Sequence, residues 1–500
     1  MRARPVLSLL AAVVFLVVAC SGDDDVAPEA APDSTTTTPA TTSPPAEATV
    51  GTSVVFEGGE DGIDTFRIPA IVSTPSGTLL AFAEARPLSP LDLDPRYLVI
   101  RRSEDGGATW GPITPIAQPD SDDCSQSDPV PIALSSGEVV LLFQNCDRLS
   151  LSRSSDDGAT WSEPTPLADD GTDIDDLRPG PGHAIQLDGG PTEGRLVVAA
   201  DRNVDGTSEL VLLLSDDEGA TWSAGATYVT SEGDPDIDET ALAELADGSI
   251  LVSSRNGSPE LPGRVELVSE DQGESFATLA DGRTLRIATD LTLPVVQGVL
   301  LSTPDADRVL FSSPSDPLYR RGVRIWTGTG DGTWVSGPLP VPGPGAYSDL
   351  VDLGDGIVGL LVETGDRNPY QRIDLIRLPT SELEEPGDAL PGDFDVAGAA
   401  AGRVLVDGER YEVVSYCLGQ PRAELDGGWI ESDTSQGIDP AAFRAHVDDQ
   451  GDGTPLDLEG TGPLDLTAGI SFRGPLTDPD GATHDVDMVI VNMEPCPAAT

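Results

Sequence analysis

From about residue 50 to residue 382 the chain alternates short apolar runs with polar, glycine-rich turns. "FRIPAIV" (66–72), "YLVIRR" (97–102), "VVLLFQN" (139–145), "LSLSR" (149–153), "LVLLL" (210–214), "RVELV" (264–268) and "VRIW" (323–326) are short and rich in β-branched residues. Such runs, bounded by Gly, Pro, Asp and Ser, predict strands rather than helices. Five of them lead into a recurring octapeptide: "SEDGGATW" (103–110), "SSDDGATW" (154–161), "SDDEGATW" (215–222), "SEDQGESF" (269–276) and a decayed "TGTGDGTW" (327–334). In S-x-D-x-G-x-T-W the Asp can accept hydrogen bonds from its own turn, the Gly supplies positive φ, and the aromatic residue packs back on the sheet. The fourth copy ends in Ser-Phe, and the fifth lacks the leading Ser and the usual Asp; both changes touch turns only.

Successive copies start 51, 61, 54 and 58 residues apart, a mean of 56. That period is too long for a hairpin and suits a four-stranded blade with its loops. Residues 50–382 then hold about six blades, none able to bury its own faces alone. The expected fold class is all-β: a six-bladed β-propeller followed by a small C-terminal β-rich domain. The latter is read from alternating runs such as "RVLVDGERYEVVSY" (403–416) and "DVDMVIVNM" (485–493). The expected organisation is 1–19 signal peptide, 20–49 tether, 50–382 propeller, 383–394 linker and 395–500 C-terminal domain.

Composition narrows the partners. The 500 residues carry 86 acidic and 28 basic side chains, a formal charge of -58, and every basic residue is Arg. Without Lys there is no Schiff base and no P-loop, and so acidic a surface argues against nucleic acid as a partner. His183, His446 and His484 are scattered and give no His-rich zinc or copper pattern. No cofactor is expected. "DDQGDGTPLDLE" (448–459) places Asp448, Asp452, Gly453 and Glu459 at the spacing of a calcium loop, but Gln450 and Pro455 break the pattern and no helix follows, so calcium there is left open.

At the N-terminus, Arg2 and Arg4 precede "VLSLLAAVVFLVVA", which ends before Cys20. The run is too short to span a bilayer with margin, and polar sequence follows at once, as in a signal peptide. "VVAC" resembles a bacterial lipobox, which implies cleavage before Cys20, lipid attachment to its thiol and an exported protein anchored on the extracytoplasmic side of the cell membrane. Residues 21–49 are acidic and rich in Ser, Thr and Pro, a tether composition. Export permits disulfides. The other four cysteines allow three connectivities, of which the two local pairs, Cys124–Cys146 and Cys417–Cys496, are expected.

"FRIPAIV" upstream of the repeated octapeptides, or Asp boxes, resembles the sialidase (exo-α-neuraminidase) family, a propeller family that removes terminal sialic acids. The resemblance covers about residues 50–382. It implies three arginines for the sugar's carboxylate, a task that suits planar guanidinium. They are Arg67 in "FRIP", Arg255 in "LVSSRNG" and, in "LYRRGVRIW", Arg320 in preference to Arg321 or Arg324. It implies an Asp acid/base nine residues before Arg101, which is Asp92, with Asp94 as competitor. "GAYSDLV" matches the family's tyrosine motif and makes Tyr347 the nucleophile. A neutral phenol can approach a carbon that already bears a carboxylate at less cost than an Asp or Glu can. A phenol needs a base, and Glu239 fills that place, with Glu244 the alternative if the register slips. Glu363 in "GLLVETGD" matches the acid that orients Arg67. "SQSDPVPIAL" (125–134) and "RPGPGHAIQL" (178–187) also resemble family segments expected along the pocket, for N-acetyl or glycerol groups.

The implied function is retaining hydrolysis of α-linked sialic acids from glycoconjugates, by a monomer. Two other classes remain: a non-catalytic sialoglycan-binding adhesin, and a trans-sialidase. A pure binder needs the arginines but not Asp92, Glu239 and Tyr347. A trans-sialidase needs an acceptor site that the sequence does not display.

Overall fold

The computed structural model describes residues 49–492 except 91, 93, 118–123, 169–173, 175, 259–262, 292, 304–307, 318, 385–386, 392–399, 417–421, 426–427, 434–440, 449–454 and 463–469. The signal segment, Cys20, nearly all of the tether, the Cys417–Cys496 pair and the centre of the 448–459 loop lie outside the described residues. Among the described residues the chain is all-β, and its helical content is two short 3-10 turns, Glu60–Gly62 and Thr380–Glu384.

Four sheets are meanders of four or five antiparallel strands. The first holds Thr65–Ser73, Leu79–Arg86, Tyr97–Ser103 and Thr114–Pro115. The second holds Gln126–Ala133, Val139–Asn145, Arg148–Ser154 and Thr165–Pro166. The third contains Arg178–Pro179, Leu196–Val204, Thr207–Ser215 and Ser223–Val229, with Ile185–Gln186 also on Leu196–Val204. The fourth contains Ile237–Glu244, Ile250–Asn256, Arg264–Ser269 and Arg286–Ala288. A fifth sheet of eight strands runs from Val299–Ser302 to Arg372–Pro379, and the first strand of the chain, Gly51–Glu57, completes it by pairing antiparallel with Arg372–Pro379.

The strands of this region are apolar runs, not alternations, because both faces of each sheet are covered. Leu79–Arg86 and Ile357–Thr364 are buried along their whole length. The hydrophobic clusters fall between sheets. Phe82 and Leu98 of the first pack with Leu141 and Phe143 of the second. Leu142 of the second packs with Val198 and Leu213 of the third, and Leu212 of the third with Val252 and Leu267 of the fourth. Leu251 of the fourth joins Phe311 and Leu360 of the fifth, whose Leu361 and Leu375 return to Ile71 and Val99 of the first. The cores therefore form a propeller-like ring.

The octapeptides are hydrogen-bonded turns. In the first, Ser103 Oγ donates to Asp105 Oδ1 (2.8 Å) and accepts from Gly107 N (2.9 Å), while Asp105 accepts from Thr109 N (2.9 Å) and Thr109 Oγ1 (2.6 Å). The same wiring recurs at Ser154/Asp156/Gly158/Thr160, Ser215/Asp217/Gly219/Thr221 and Ser269/Asp271/Gly273/Ser275. Gly107 has φ +81, and a Cβ there would collide with Leu375, so this turn needs Gly twice over. In the fifth copy the Thr333 amide is taken by Asp331 instead.

Eight further strands, Ala400–Val406 to Thr483–Asn492, form a closed antiparallel barrel. Its core of Val404, Tyr411, Phe443, Phe472, Val486 and neighbours contains no residue of the other sheets. Closure leaves no free sheet edge.

Donors from Thr221 hold the Asp217 carboxyl below its usual range. A depressed folded pKa gives stability that is present above the unfolded value, about 4, and lost as pH falls through the folded one. Asp217→Asn is therefore expected to lower stability at pH 7, by about 1 kcal/mol or less given its exposure. The gap to wild type should close below about pH 3 in thermal melts followed by circular dichroism.

Candidate active site

A cavity of about 320 Å³ opens where the first strands of the sheets converge; its lining includes Arg67, Asp92, Glu239, Arg255, Arg320 and Tyr347. These come from four places: Arg67 from Thr65–Ser73, Asp92 from the loop before Tyr97–Ser103, Glu239 and Arg255 from the fourth sheet, and Arg320 and Tyr347 beside and within the fifth. The strand Tyr97–Ser103 runs from the Asp92 loop to the first octapeptide, so that turn sits at the far end of its sheet from the cavity.

The inner strands bulge where they meet the cavity. Pairing registers shift between Arg67 and Ala70, Ser127 and Val130, Asp238 and Thr240, and Gly345 and Ser348. At three of these bulges a non-glycine residue has positive φ: Ile68 (54), Asp128 (56) and Glu239 (31). A β-branched residue such as Ile68 is strained there. A bulge re-aims neighbouring side chains, and here it delivers Arg67, Asp128, Glu239 and Tyr347 to one space.

Glu363, with no exposure to solvent, holds the first of these bulges. Its Oε1 accepts from Arg67 Nε (3.1 Å) and the Ile68 amide (2.8 Å); its Oε2 accepts from Arg67 Nη2 (3.4 Å) and the Tyr347 amide (3.2 Å). Burial opposes the charge on Arg67, but Glu363, helped by Tyr370, Asp92 and Tyr347, outweighs it and keeps the guanidinium firmly protonated.

Three guanidiniums surround one phenol. Arg67 and Arg320 lie 5.2 and 5.4 Å from the centroid of the Tyr347 ring, and Arg255 Nη1 donates to Tyr347 Oη (3.1 Å). Arg320 Nη1 also reaches Tyr370 Oη (2.7 Å), and Arg67 lies 4.1 Å from the Tyr370 ring. Tyr347 Oη donates to Glu239 Oε1 in a short hydrogen bond, and Glu239 Oε2 accepts from Arg255 Nη1 (2.7 Å). Burial, then the Glu239 charge, pushes the Tyr347 phenol well above its ordinary range against the pull of the three arginines. The phenol is thus neutral, with its proton aimed at a base.

Asp92 lines the same cavity. Its Oδ1 pairs with Arg86 Nη1 at 2.8 Å, and its side chain is 75% exposed. Burial raises its carboxyl, but Arg86 and Arg67 outweigh that and hold it below the usual range. Asp92 is thus a carboxylate; to give up a proton it must first gain one, which requires its pairing with Arg86 to loosen.

The competing residues lie elsewhere. Asp94 accepts a hydrogen bond from Ser89. Glu244 accepts the Asp188 amide at 2.8 Å and lines a different cavity. Arg321 pairs with Asp316 at 2.7 Å, and Arg324 binds the Gly337 carbonyl at 2.7 Å. Cys124 and Cys146 are disulfide-bonded and join the entry to Gln126–Ala133 with the hairpin after Val139–Asn145.

Glu84, Arg86, Arg96, Asp201 and Asp238 also line the cavity and had no expected role, while Asp128 and Arg178, which line it too, lie in the two segments expected along the pocket. The available signal was an ionisable residue inside an otherwise apolar strand, as in "LLAFAEAR" and "LVVAADR". Burial, followed by the nearby Glu84 charge, raises Asp128 to about 8. Burial also raises Asp201 to about 7, despite its 2.7 Å pair with Arg178.

Removing the charge of Glu363 leaves Arg67 buried beside a neutral amide. Glu363→Gln is expected to cost about 3–5 kcal/mol in urea-denaturation midpoints, whereas Glu244→Gln, on a half-exposed side chain, should cost about 1 kcal/mol.

Comparison with known proteins fits this arrangement. The chain matches the BNR repeat-like domain over residues 77–360. It is 30% identical over 357 residues to a sialidase of Micromonospora viridifaciens, covering 63% of this chain and 52% of that protein, so it spans about half the length of that relative. It is 26% identical over 408 residues to Sialidase-3 of Rattus norvegicus, covering 66% of this chain and 95% of that one. Among solved structures the Hadza microbial sialidase Hz136 superposes with a TM-score of 0.56 at 23% identity, covering 66% of this chain and 69% of that one, a likeness of fold. With more than half its length matched, the chain belongs to the BNR repeat-like domain family and is sialidase-like.

Proposed function

We propose that the protein is an exo-α-sialidase that hydrolyses terminal α-linked sialic acids with retention of configuration. The observation that carries this reading is the Tyr347 hydroxyl, hydrogen-bonded to Glu239 and Arg255 and ringed by three guanidiniums, in a cavity that Asp92 also lines. The arginines would receive the sugar carboxylate. Tyr347 Oη would attack the anomeric carbon as its proton passes to Glu239, while Asp92, protonated once substrate displaces it from Arg86, gives its proton to the departing glycosidic oxygen. In the second half Asp92 takes a proton from water, the water oxygen attacks the anomeric carbon, and the phenolate recovers its proton from Glu239. Retention follows from two displacements.

The reading extends to the rest of the molecule. The eight-stranded sheet would count as two blades, Val299–Ser336 and Val341–Pro379 with Gly51–Glu57, making six. Tyr347 lies in the second of these. Cys20 would carry a lipid that holds the propeller outside the cell membrane, with residues 20–49 as tether and sialylated glycans as substrates.

Wild-type protein should release the aglycone from a methylumbelliferyl α-sialoside and free sialic acid from sialyllactose. Asp92→Ala is expected to lose about 10²–10⁴-fold in turnover of sialyllactose, and Tyr347→Phe to abolish the covalent route while still binding sialic acid. Binding of sialic acid without turnover by the wild type would move the assignment to a lectin, and transfer to added lactose in preference to water would move it to a trans-sialidase.

The pH dependence has a definite sign. Asp201 and Asp128, raised to about 7 and about 8, are neutral below those values. Above them the cavity gains two negative charges beside an anionic ligand. KM for a sialoside should therefore climb between about pH 6.5 and 8.5, and Asp201→Asn should flatten the rise.

A further inference from the structure

Glu84 is 1% exposed and sits two residues before Arg86 in the same strand, so both side chains leave the same face. Each of its oxygens is engaged. Oε2 accepts from Arg86 Nε (3.0 Å) and Nη2 (2.5 Å) and pairs with Arg96 Nε (3.4 Å); Oε1 accepts the Asp128 amide (3.1 Å) from the second sheet. The two guanidiniums that Glu84 engages turn their remaining donors on one short segment. Arg86 Nη1 reaches Asp92 Oδ1 (2.8 Å) and the Pro90 carbonyl (2.5 Å), and Arg96 Nη1 donates to the Asp92 carbonyl.

The segment needs such a hold. Asp92 lies outside any strand, and its side chain is largely exposed, so apolar packing supplies little of that side chain's position. A guanidinium presents its donors in a rigid fork. Fixing one edge of Arg86 on a buried carboxylate therefore fixes the direction of the other edge. Arg86, 1% exposed, also requires a full-time counter-charge, and Asp92 cannot be one if it is to be protonated during turnover.

We propose that Glu84 is a positioning residue for Asp92, aiming Arg86 and Arg96 so that they hold Pro90 and Asp92 with the Asp92 carboxyl in the cavity. The inference rests on the sialidase reading and refines it. It predicts damage confined to the step that needs Asp92 as an acid. Sialyllactose must have its leaving oxygen protonated, whereas a para-nitrophenyl sialoside departs as a stable phenolate.

The test compares kcat/KM on these two substrates for wild type, Glu84→Gln and Arg96→Leu, with thermal unfolding of each. Arg96 is less buried, so its variant decides the question if Glu84→Gln fails to fold. Glu84→Gln should lose about 10²-fold on sialyllactose and no more than about threefold on the aryl sialoside, and Arg96→Leu should show the same split at about tenfold. Equal losses on both substrates in a folded variant, or no loss on either, would overturn the positioning role while leaving the sialidase reading intact. A wild type that cleaves neither substrate overturns that reading, and the inference with it.

Discussion

A carboxylate with no access to water stays charged only if its surroundings supply donors at every lone pair. Glu363 meets that condition by gathering the Arg67 guanidinium, the Ile68 amide and the Tyr347 amide onto its two oxygens. These groups come from one strand of the first sheet and one of the fifth, and Glu363 stands on the neighbouring strand of the fifth, at the seam where the ring closes on itself. One buried charge thus orients the first arginine, supports the strained backbone at Ile68 and fixes the strand that carries the phenol. Removing its charge would leave a cation without a partner and a bulge without its hydrogen bond.

The ring supplies the second constraint. Each sheet shares its core with its neighbours, so the inner strands cannot slide independently, and their bulges can be held in conformations that an isolated strand would reject. The strain at Ile68, Asp128 and Glu239 is concentrated on the cavity wall. The octapeptide turns at the other end of the sheets act as hydrogen-bonded corners, whose aspartates are held ionised by their own turns. Function and folding signals therefore occupy opposite ends of the same strands.

Electrostatics divides the cavity. Arg67, Arg255 and Arg320 make a local cationic cluster in a chain of formal charge -58, and only short-range geometry can let an anion prevail against such a field. The lining carboxyls Glu84, Asp92, Asp128, Asp201 and Asp238 are kept from repelling an anion by two means: pairing with Arg86, Arg96 and Arg178, and the raised carboxyls of Asp128 and Asp201. Tyr347 lies beside the cationic cluster, whose pull on the phenol burial and the Glu239 charge outweigh.

The strand-and-turn period was legible in the sequence because it is local: Asp, Gly and Thr at fixed offsets close a turn whatever surrounds them, and an apolar run of strand length predicts a strand. The candidate residues were legible through ordered motifs such as "FRIPAIV" and "GAYSDLV", which carried Arg67 and Tyr347 by resemblance. What the sequence could not display was convergence. Asp92 and Tyr347 lie 255 positions apart in the chain, and only the closure of Gly51–Glu57 onto Arg372–Pro379 brings the first and last sheets together. The bulges at Ile68 and Glu239 were equally hidden, since a positive φ there is imposed by a distant partner or a packed neighbour and not by the residue itself. Glu84 and Arg86 pair within one strand, but the fold alone brings the Asp128 amide to Glu84 and Asp92 to Arg86.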